Sequence, residues 1–84
     1  MVTPESIKQN IEQGMSTAHL SVTGDGRHFE AVVVSEEFAG KSRVQRHQRV
    51  YQTLGDRMRE EIHALSIKTF TPQEWAEIDA SRKT

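Results

Sequence analysis

The chain has 84 residues, of which 35% are hydrophobic and 27% charged, and its formal net charge at pH 7 is -1. A chain of this length buries only about 60 to 65% of its unfolded surface, so a deep enclosed active site is not expected. The chain has no cysteine, which excludes disulfides, a thiol nucleophile and any metal centre held by its own thiolates. We predict that residues 1 to 84 form one domain.

The charge is unevenly distributed along the chain. Between residues 41 and 59 there are six Lys or Arg residues and one Asp, a net charge of +5, so the remainder of the chain carries -6. This asymmetry predicts a basic surface on an acidic body.

Neither a signal peptide nor a membrane span is predicted. The first residues, "MVTPESIKQNIEQGM", lack a basic start and a long apolar run. No stretch approaches the roughly 20 apolar residues that a transmembrane helix needs. We therefore expect a cytoplasmic protein without a membrane partner.

The first predicted element is a helix. Thr3 is a suitable cap, Pro4 suits the first turn, and Ile7 and Ile11 are four residues apart on one face. We expect this helix to end near Gly14.

Two strands follow the first helix. Ala18, Leu20 and Val22 alternate with polar residues, which is the period-two pattern of a half-buried strand. The turn sequence "GDGR" then leads into "HFEAVVVS", a Val-rich second strand that we expect at the centre of the sheet.

A long basic helix is predicted over residues 42–59. Gly55 weakens its end, by about 1 kcal/mol relative to Ala in a helix interior. We expect the apolar stripe to seat the helix on the sheet and to leave the arginines outside. The stripe consists of Val44, His47, Val50, Tyr51, Leu54 and Met58.

A third strand, "ALSIKTF", precedes a last helix that is signalled by a cap. Thr71 is the cap residue, Pro72 takes the first helical position and Glu74 completes a capping box. The predicted fold is α+β in the order α-β-β-α-β-α, with three strands in a mixed sheet. Strands one and two are antiparallel, and a right-handed crossover makes strands two and three parallel.

The end of a phosphate-binding loop is resembled by the tripeptide Gly40, Lys41 and Ser42. That loop needs a Gly five residues before Gly40, where this chain has Ser35. We therefore interpret Gly40 as a turn residue, Ser42 as the cap of the long helix and Lys41 as a solvated side chain.

The basic helix has two interpretations. Lys41, Arg43, Arg46 and Arg49 could contact nucleic-acid phosphates, or they could form a solvated helix face. Single-strand binders usually interleave exposed aromatic residues, yet Tyr51 lies on the apolar stripe. Both interpretations stay open on the residues alone.

Four histidines are candidate ligands. We expect His19 to face solvent or the open face of the sheet, and His47 to be a mostly buried, hydrogen-bonded structural residue. His28 opens the second strand and His63 precedes the third, so parallel pairing places both at one edge of the sheet. Two imidazoles there could supply half of a borderline-soft metal site, with the other half coming from outside.

Catalysis is not predicted. The chain shows no Ser-His-Asp order and no His-x-x-x-His pair, and no small-molecule substrate is indicated. Four acids are interpreted as solvated ends of elements: Glu36, Glu37, Glu60 and Glu61.

Three segments resemble the signature blocks of the BolA family: "FAGKSRVQRHQRVYQTL", "IHALSIKTFTPQEW" and "GDGRHFEAVVVS". The likeness is greatest to the short IbaG (YrbA) branch. It implies a class II KH-like domain in the element order given above. The Gly-x-x-Gly loop of true KH domains is missing, because Arg43 stands three residues after Gly40, so RNA clamping of the KH type is not expected.

The resemblance implies partnership with a monothiol glutaredoxin around one shared [2Fe-2S] cluster. His63 matches the family's invariant histidine, and His28 matches its variable ligand loop. The glutaredoxin cysteine and a bound glutathione would supply the two thiolates. Mixed ligation by His and Cys has a precedent in Rieske centres, where it raises the reduction potential.

The family also carries labels as a DNA-binding transcription regulator of stress and morphology, which would rest here on the basic helix. A third possibility is a domain for protein interaction alone, with incidental histidines. Of the three, a non-enzymatic adaptor in iron-sulfur homeostasis and stress response is our leading expectation.

Overall fold

The computed structural model of the protein describes residues 3–55 and 64–82. Three helices and three strands follow one another in the predicted α+β order. The elements are α1 (Pro4–Gly14), β1 (His19–Gly24), β2 (Phe29–Val34), α2 (Arg43–Leu54), β3 (Leu65–Phe70) and α3 (Pro72–Arg82), with a short 3-10 turn at Glu36–Phe38.

The sheet has the predicted mixed topology. Its strand order is β1-β2-β3, so the Val-rich β2 is central. β1 pairs antiparallel with β2, and β2 pairs parallel with β3 with Phe29 opposite Leu65. The amino-terminal ends of β2 and β3 therefore lie at the same edge of the sheet.

One face of the sheet carries the hydrophobic core. Apolar side chains from the three strands pack there against α1, α2 and Phe38 of the 3-10 turn. The core consists of Ile7, Ile11, Met15, Leu20, Phe29, Ala31, Val33, Phe38, Val50, Leu54, Leu65 and Ile67. Its strand members alternate along the chain, which is why the period-two pattern was readable from the sequence.

The opposite face is covered at one end by α3. The Trp75 ring stacks on His19 with 5.0 Å between ring centroids and an interplanar angle of 18°. Trp75 also contacts Phe70, with 5.4 Å between centroids. His19 lies on the face that the alternation predicted and is exposed, but Trp75 partly occupies that face.

Each helix begins at a hydroxyl that caps it. Thr3, Ser42 and Thr71 each accept a hydrogen bond from the backbone N–H three residues later, at 3.1, 3.2 and 3.1 Å. The predicted caps are confirmed, as is the turn before α2, where Gly40 has a φ of 75°. A positive φ disfavours residues that carry a Cβ.

The basic helix is shorter than predicted. α2 ends at Leu54, and Gly55 is its C-cap with a φ of 62°. Glycine at this position commonly ends a helix because it tolerates positive φ. Residues 56–63 lie outside the described residues, and with them Met58 of the predicted stripe.

The predicted role of Val44 is wrong. Its side chain is 65% exposed, whereas Val50 and Leu54 are buried and Tyr51 packs against the core. Val44 lies in the first turn of α2 at the margin of the stripe, about 120° around the helix from Val50, and its side chain stays in solvent.

No described helix has the length and apolar character that a membrane crossing requires.

Candidate functional site

The loop that carries His28 is fixed by Asp25. The Oδ1 atom of Asp25 accepts hydrogen bonds from the backbone N–H groups of Arg27 and His28, both at 2.9 Å. The backbone N–H of Asp25 donates in return to the carbonyl oxygen of His28 at 3.2 Å. The bonds from His28 and Arg27 lower the pKa of the Asp25 carboxyl. The His28 side chain is exposed on this anchored backbone.

The strand register sets the position of His28 in the molecule. His28 immediately precedes Phe29, which lies opposite Leu65 at the start of β3. His63 is two residues before Leu65 in the sequence and lies outside the described residues. Its pairing with His28 therefore stays a prediction. Within residues 3–55 and 64–82, no three His, Cys, Asp or Glu side chains are grouped to hold a metal ion.

Arg46, a candidate phosphate contact, is bound within the protein. Its Nη1 and Nη2 atoms donate to the two carboxylate oxygens of Glu74 at 2.8 and 3.3 Å. Its Nε donates to the carbonyl oxygen of Lys41 at 3.0 Å, and the guanidinium lies 6.0 Å from the Phe38 ring centroid. The side chain is only 14% exposed. Arg46 thus joins the start of α2 to the start of α3.

Arg49 is bound in a similar way at the other side of α2. Its Nε donates to Oε1 of Glu37 at 3.0 Å, and its Nη2 donates to the carbonyl oxygen of Gly14 at 3.0 Å. Oε2 of Glu37 accepts the backbone N–H of Ser16 at 2.8 Å. The interpretation of Glu37 as a solvated acid is therefore wrong, because both of its oxygens are bound.

These hydrogen bonds lower the pKa values of two carboxyl groups. The hydrogen bonds from the Ser16 backbone and the Arg49 side chain lower the pKa of Glu37. The hydrogen bonds from Arg46 and from the Thr71 backbone lower the pKa of Glu74. In each case the bonds stabilise the charged carboxylate.

A cleft with a volume of about 690 Å³ lies between the start of α2, the strand β3 and α3. We call it the α2–α3 cleft. Lys41, Arg43, Arg46 and His47 line it on the α2 side, and Glu74, Glu77 and Ile78 line it on the α3 side. Residues 67–70 of β3 form the floor between them.

The cleft contains the two candidate cations that are exposed, Lys41 and Arg43. His47, predicted to be mostly buried, is half-buried on the same wall. Burial and then the nearby Arg43 charge lower the pKa of the His47 imidazole, which favours its neutral form. The cationic character of this wall therefore depends on Lys41 and Arg43.

Comparisons with known proteins agree with this architecture. A family model described as BolA-like protein matches residues 2–74. The chain is 47% identical over 60 residues to the DNA-binding transcriptional regulator BolA of Haemophilus influenzae, covering 71% of this chain and 58% of that one. It is 42% identical over 71 residues to the acid stress protein IbaG of Escherichia coli K12, covering 83% of this chain and 84% of that one.

A solved structure has the same fold. The bolA protein homologue from Coxiella burnetii superposes with a TM-score of 0.78 at 51% identity, covering 90% of this chain and 99% of that one. The family description and these relatives' names specify no catalytic activity. The family match spans most of the chain, and the chain belongs to the BolA family.

Proposed function

We propose that this chain is a non-enzymatic adaptor that binds a monothiol glutaredoxin and shares a [2Fe-2S] cluster with it through His28 and His63. The observation that carries the proposal is the exposed His28 on a fixed loop, at the edge where β2 and β3 both begin. Membership of the BolA family supports the same proposal.

The residues of this chain fit a cluster site that is shared with a partner better than a site formed by this chain alone. The chain has no cysteine, so the partner's cysteine and a glutathione would supply the thiolates. Imidazole ligands raise the potential of such a cluster, as in Rieske centres. Asp25 holds the backbone of His28 in place before any partner arrives, which reduces the entropy that is lost on binding.

Co-expression with a monothiol glutaredoxin tests the proposal. We expect a brown complex that contains iron and acid-labile sulfide, with visible absorption and circular dichroism bands. His63→Ala should abolish or shift these bands. His28→Ala should change the bands more than it weakens the association of the two proteins.

His19→Ala is the matched control. His19 is also exposed, but its strand partner is Val34, at the end of β2 that is far from His28. The variant removes the ring on which Trp75 stacks, but that contact is far from the ends where β2 and β3 begin, so the control complex should keep its colour and spectrum. If the wild-type complex is colourless, glutaredoxin is still a partner but the shared cluster is refuted. If the spectra of both His63→Ala and His28→Ala are unchanged, the ligand assignment is refuted.

A second candidate function is DNA binding, which the name of the Haemophilus influenzae relative favours. Arg46 and Arg49 are occupied by Glu74 and Glu37, so phosphate contacts would fall to Lys41 and Arg43. The logarithm of the binding constant should then fall linearly with the logarithm of the salt concentration, with a slope of about -0.9 for each phosphate contact. Affinity that does not change across a salt titration would rule this function out.

A further inference from the structure

We infer that the α2–α3 cleft is a second protein-binding site, which takes an extended partner segment with carboxylates along one side and apolar side chains along the other. This site is separate from the edge that carries His28. It does not depend on the proposed iron-sulfur function.

The shape of the cleft suits a short segment of chain. Its volume of about 690 Å³ lies within the range of about 300 to 1,000 Å³ that is typical of binding pockets. Ile67, Phe70 and Ile78 give its floor and α3 wall an apolar component. Phe70 and Ile78 are half-buried, so part of each side chain can contact a partner.

The charges of the cleft select for carboxylates on the α2 side. Lys41 and Arg43 are exposed, and in the described part of the chain neither has a carboxylate at ion-pair distance. The other two cations of the lining are paired, Arg46 with Glu74 at 2.8 Å and Lys68 with Glu30 at 3.1 Å. Among the described residues, Lys41 and Arg43 are therefore the cations of the cleft with capacity for an incoming anion.

The negative charge on the α3 wall favours a peptide ligand over nucleic acid. Glu77 lines this wall and is exposed, opposite the cations of α2. A nucleic-acid strand is anionic along its whole length, so its phosphates would meet Glu77 as well as Lys41 and Arg43. A strand-like peptide can direct its carboxylates to α2 and its apolar side chains to the floor, because successive side chains alternate.

Val44 is an exposed apolar residue that is a neighbour of the cleft lining in the sequence. It follows Arg43 in the first turn of α2, and its side chain is 65% exposed. A single exposed valine is common on protein surfaces. Val44 does not line the cleft, so the proposal does not depend on it.

The first test uses the isolated protein and a short fluorescein-labelled peptide in which Glu and Leu alternate. Fluorescence anisotropy should show binding, and the Gln-Leu peptide of equal length should bind more weakly. The double variant Lys41→Gln/Arg43→Gln should weaken binding of the acidic peptide about fivefold, because each exposed charge pair contributes modestly. Its folding is checked by circular dichroism.

The matched control is Lys8→Gln/Arg27→Gln. It removes the same charge from two exposed residues outside the cleft, so the affinity should stay unchanged. Equal losses in the two double variants would show a general charge effect and overturn the proposal.

Backbone NMR shifts locate the bound peptide. We expect changes at residues 41–47, 67–70 and 74–78, and no change at residues 25–28. Shifts at the His28 loop in place of the cleft would overturn the proposal, as would duplex DNA that displaces the peptide and binds the cleft more tightly. His28→Ala should leave peptide binding intact, which separates this test from the iron-sulfur proposal.

Discussion

A single arginine links three segments of this protein. Arg46 of α2 bonds to the Lys41 carbonyl, lies over Phe38 and forms a two-pronged ion pair with Glu74 of α3. The planar guanidinium group is suited to such paired bonds with a carboxylate. Because the side chain is largely buried, solvent screens this pair less than it screens a surface pair.

Arg46→Ala should therefore destabilise the protein. The variant loses the hydrogen bonds to the Glu74 carboxylate and leaves Glu74 without its cationic partner. We expect the free energy of unfolding to fall by about 2 kcal/mol, measured by urea denaturation. Arg43→Ala is the control, and its exposed side chain should contribute less than about 0.5 kcal/mol. Equal effects in the two variants would contradict the structural role of Arg46.

Glu74 makes stability dependent on acid pH. Its folded-state pKa is below the ordinary value of 4.5, so the unfolded chain takes up a proton first as the pH falls. The resulting stability is present above the unfolded pKa and is lost as the pH falls through the folded pKa. The effect is modest because Glu74 is 45% exposed.

Thermal midpoints between about pH 7 and pH 3 test this dependence. Glu74→Gln should lower the midpoint at pH 7 and should lose less additional stability below about pH 4.5. Some pH dependence should remain, because Glu37 and Asp25 also have lowered pKa values. A variant curve parallel to that of the wild type would exclude Glu74 as a contributor.

Residue roles were predictable from the sequence where the partner is local. The caps Ser42 and Thr71 act on groups three residues away, and both were predicted correctly. The capping box also singled out Glu74, but its bond to Arg46 spans 28 positions. No local pattern encodes such a pair, so Arg46 and Arg49 were interpreted only as members of a basic face.

At the scale of elements, α1 and α2 approach each other closely at Gly14. A Cβ atom at Gly14 would lie 2.7 Å from the Cβ and 3.1 Å from the Cα of Thr53. The second distance involves backbone, which cannot move without shifting α2. The sequence predicted Gly14 as the end of α1, but it did not show that the helices meet there.

Gly14→Ala should thus push the two helices apart. Overpacking of this kind typically destabilises by about 1 to 3 kcal/mol, which urea denaturation would detect. Gln13→Ala is the control, since Gln13 is exposed on the same helix and Ala favours helix. A stabilised Gly14→Ala variant would show that the contact relaxes easily.

The extent of α2 shows what periodicity can and cannot predict. Val50 and Leu54 were placed correctly on the buried face. The pattern could not show that Val44, at the margin of the stripe in the first turn of α2, stays exposed. The sequence predicts Gly55 as a weak point near the end of the helix, whereas its positive φ makes it the residue that ends α2.

At the scale of the whole molecule, the sheet separates the two proposed surfaces. His28 precedes the pair of Phe29 and Leu65 at one end of β2 and β3, and the cleft floor extends to Phe70 at the other end. The parallel pairing was predictable from the element order. The cleft was not, because it depends on long-range contacts of α3, such as the stacking of Trp75 on His19 and the ion pair of Glu74 with Arg46.

This separation predicts that the two surfaces can be occupied together. From Leu65 to Phe70 the strand spans roughly 16 Å, so a partner at His28 need not reach the cations at the start of α2. The affinity for the Glu-Leu peptide should therefore agree within about twofold between the free protein and its purified complex with a monothiol glutaredoxin. Anisotropy titrations of both samples measure it.

Competition between the two ligands would contradict the prediction. If the peptide released glutaredoxin, or if its affinity fell severalfold in the complex, the two binding surfaces would overlap. The Lys41→Gln/Arg43→Gln variant distinguishes direct overlap from other causes. Under the proposed arrangement this variant still binds glutaredoxin as the wild type does, since neither side chain lies at the edge where β2 and β3 begin.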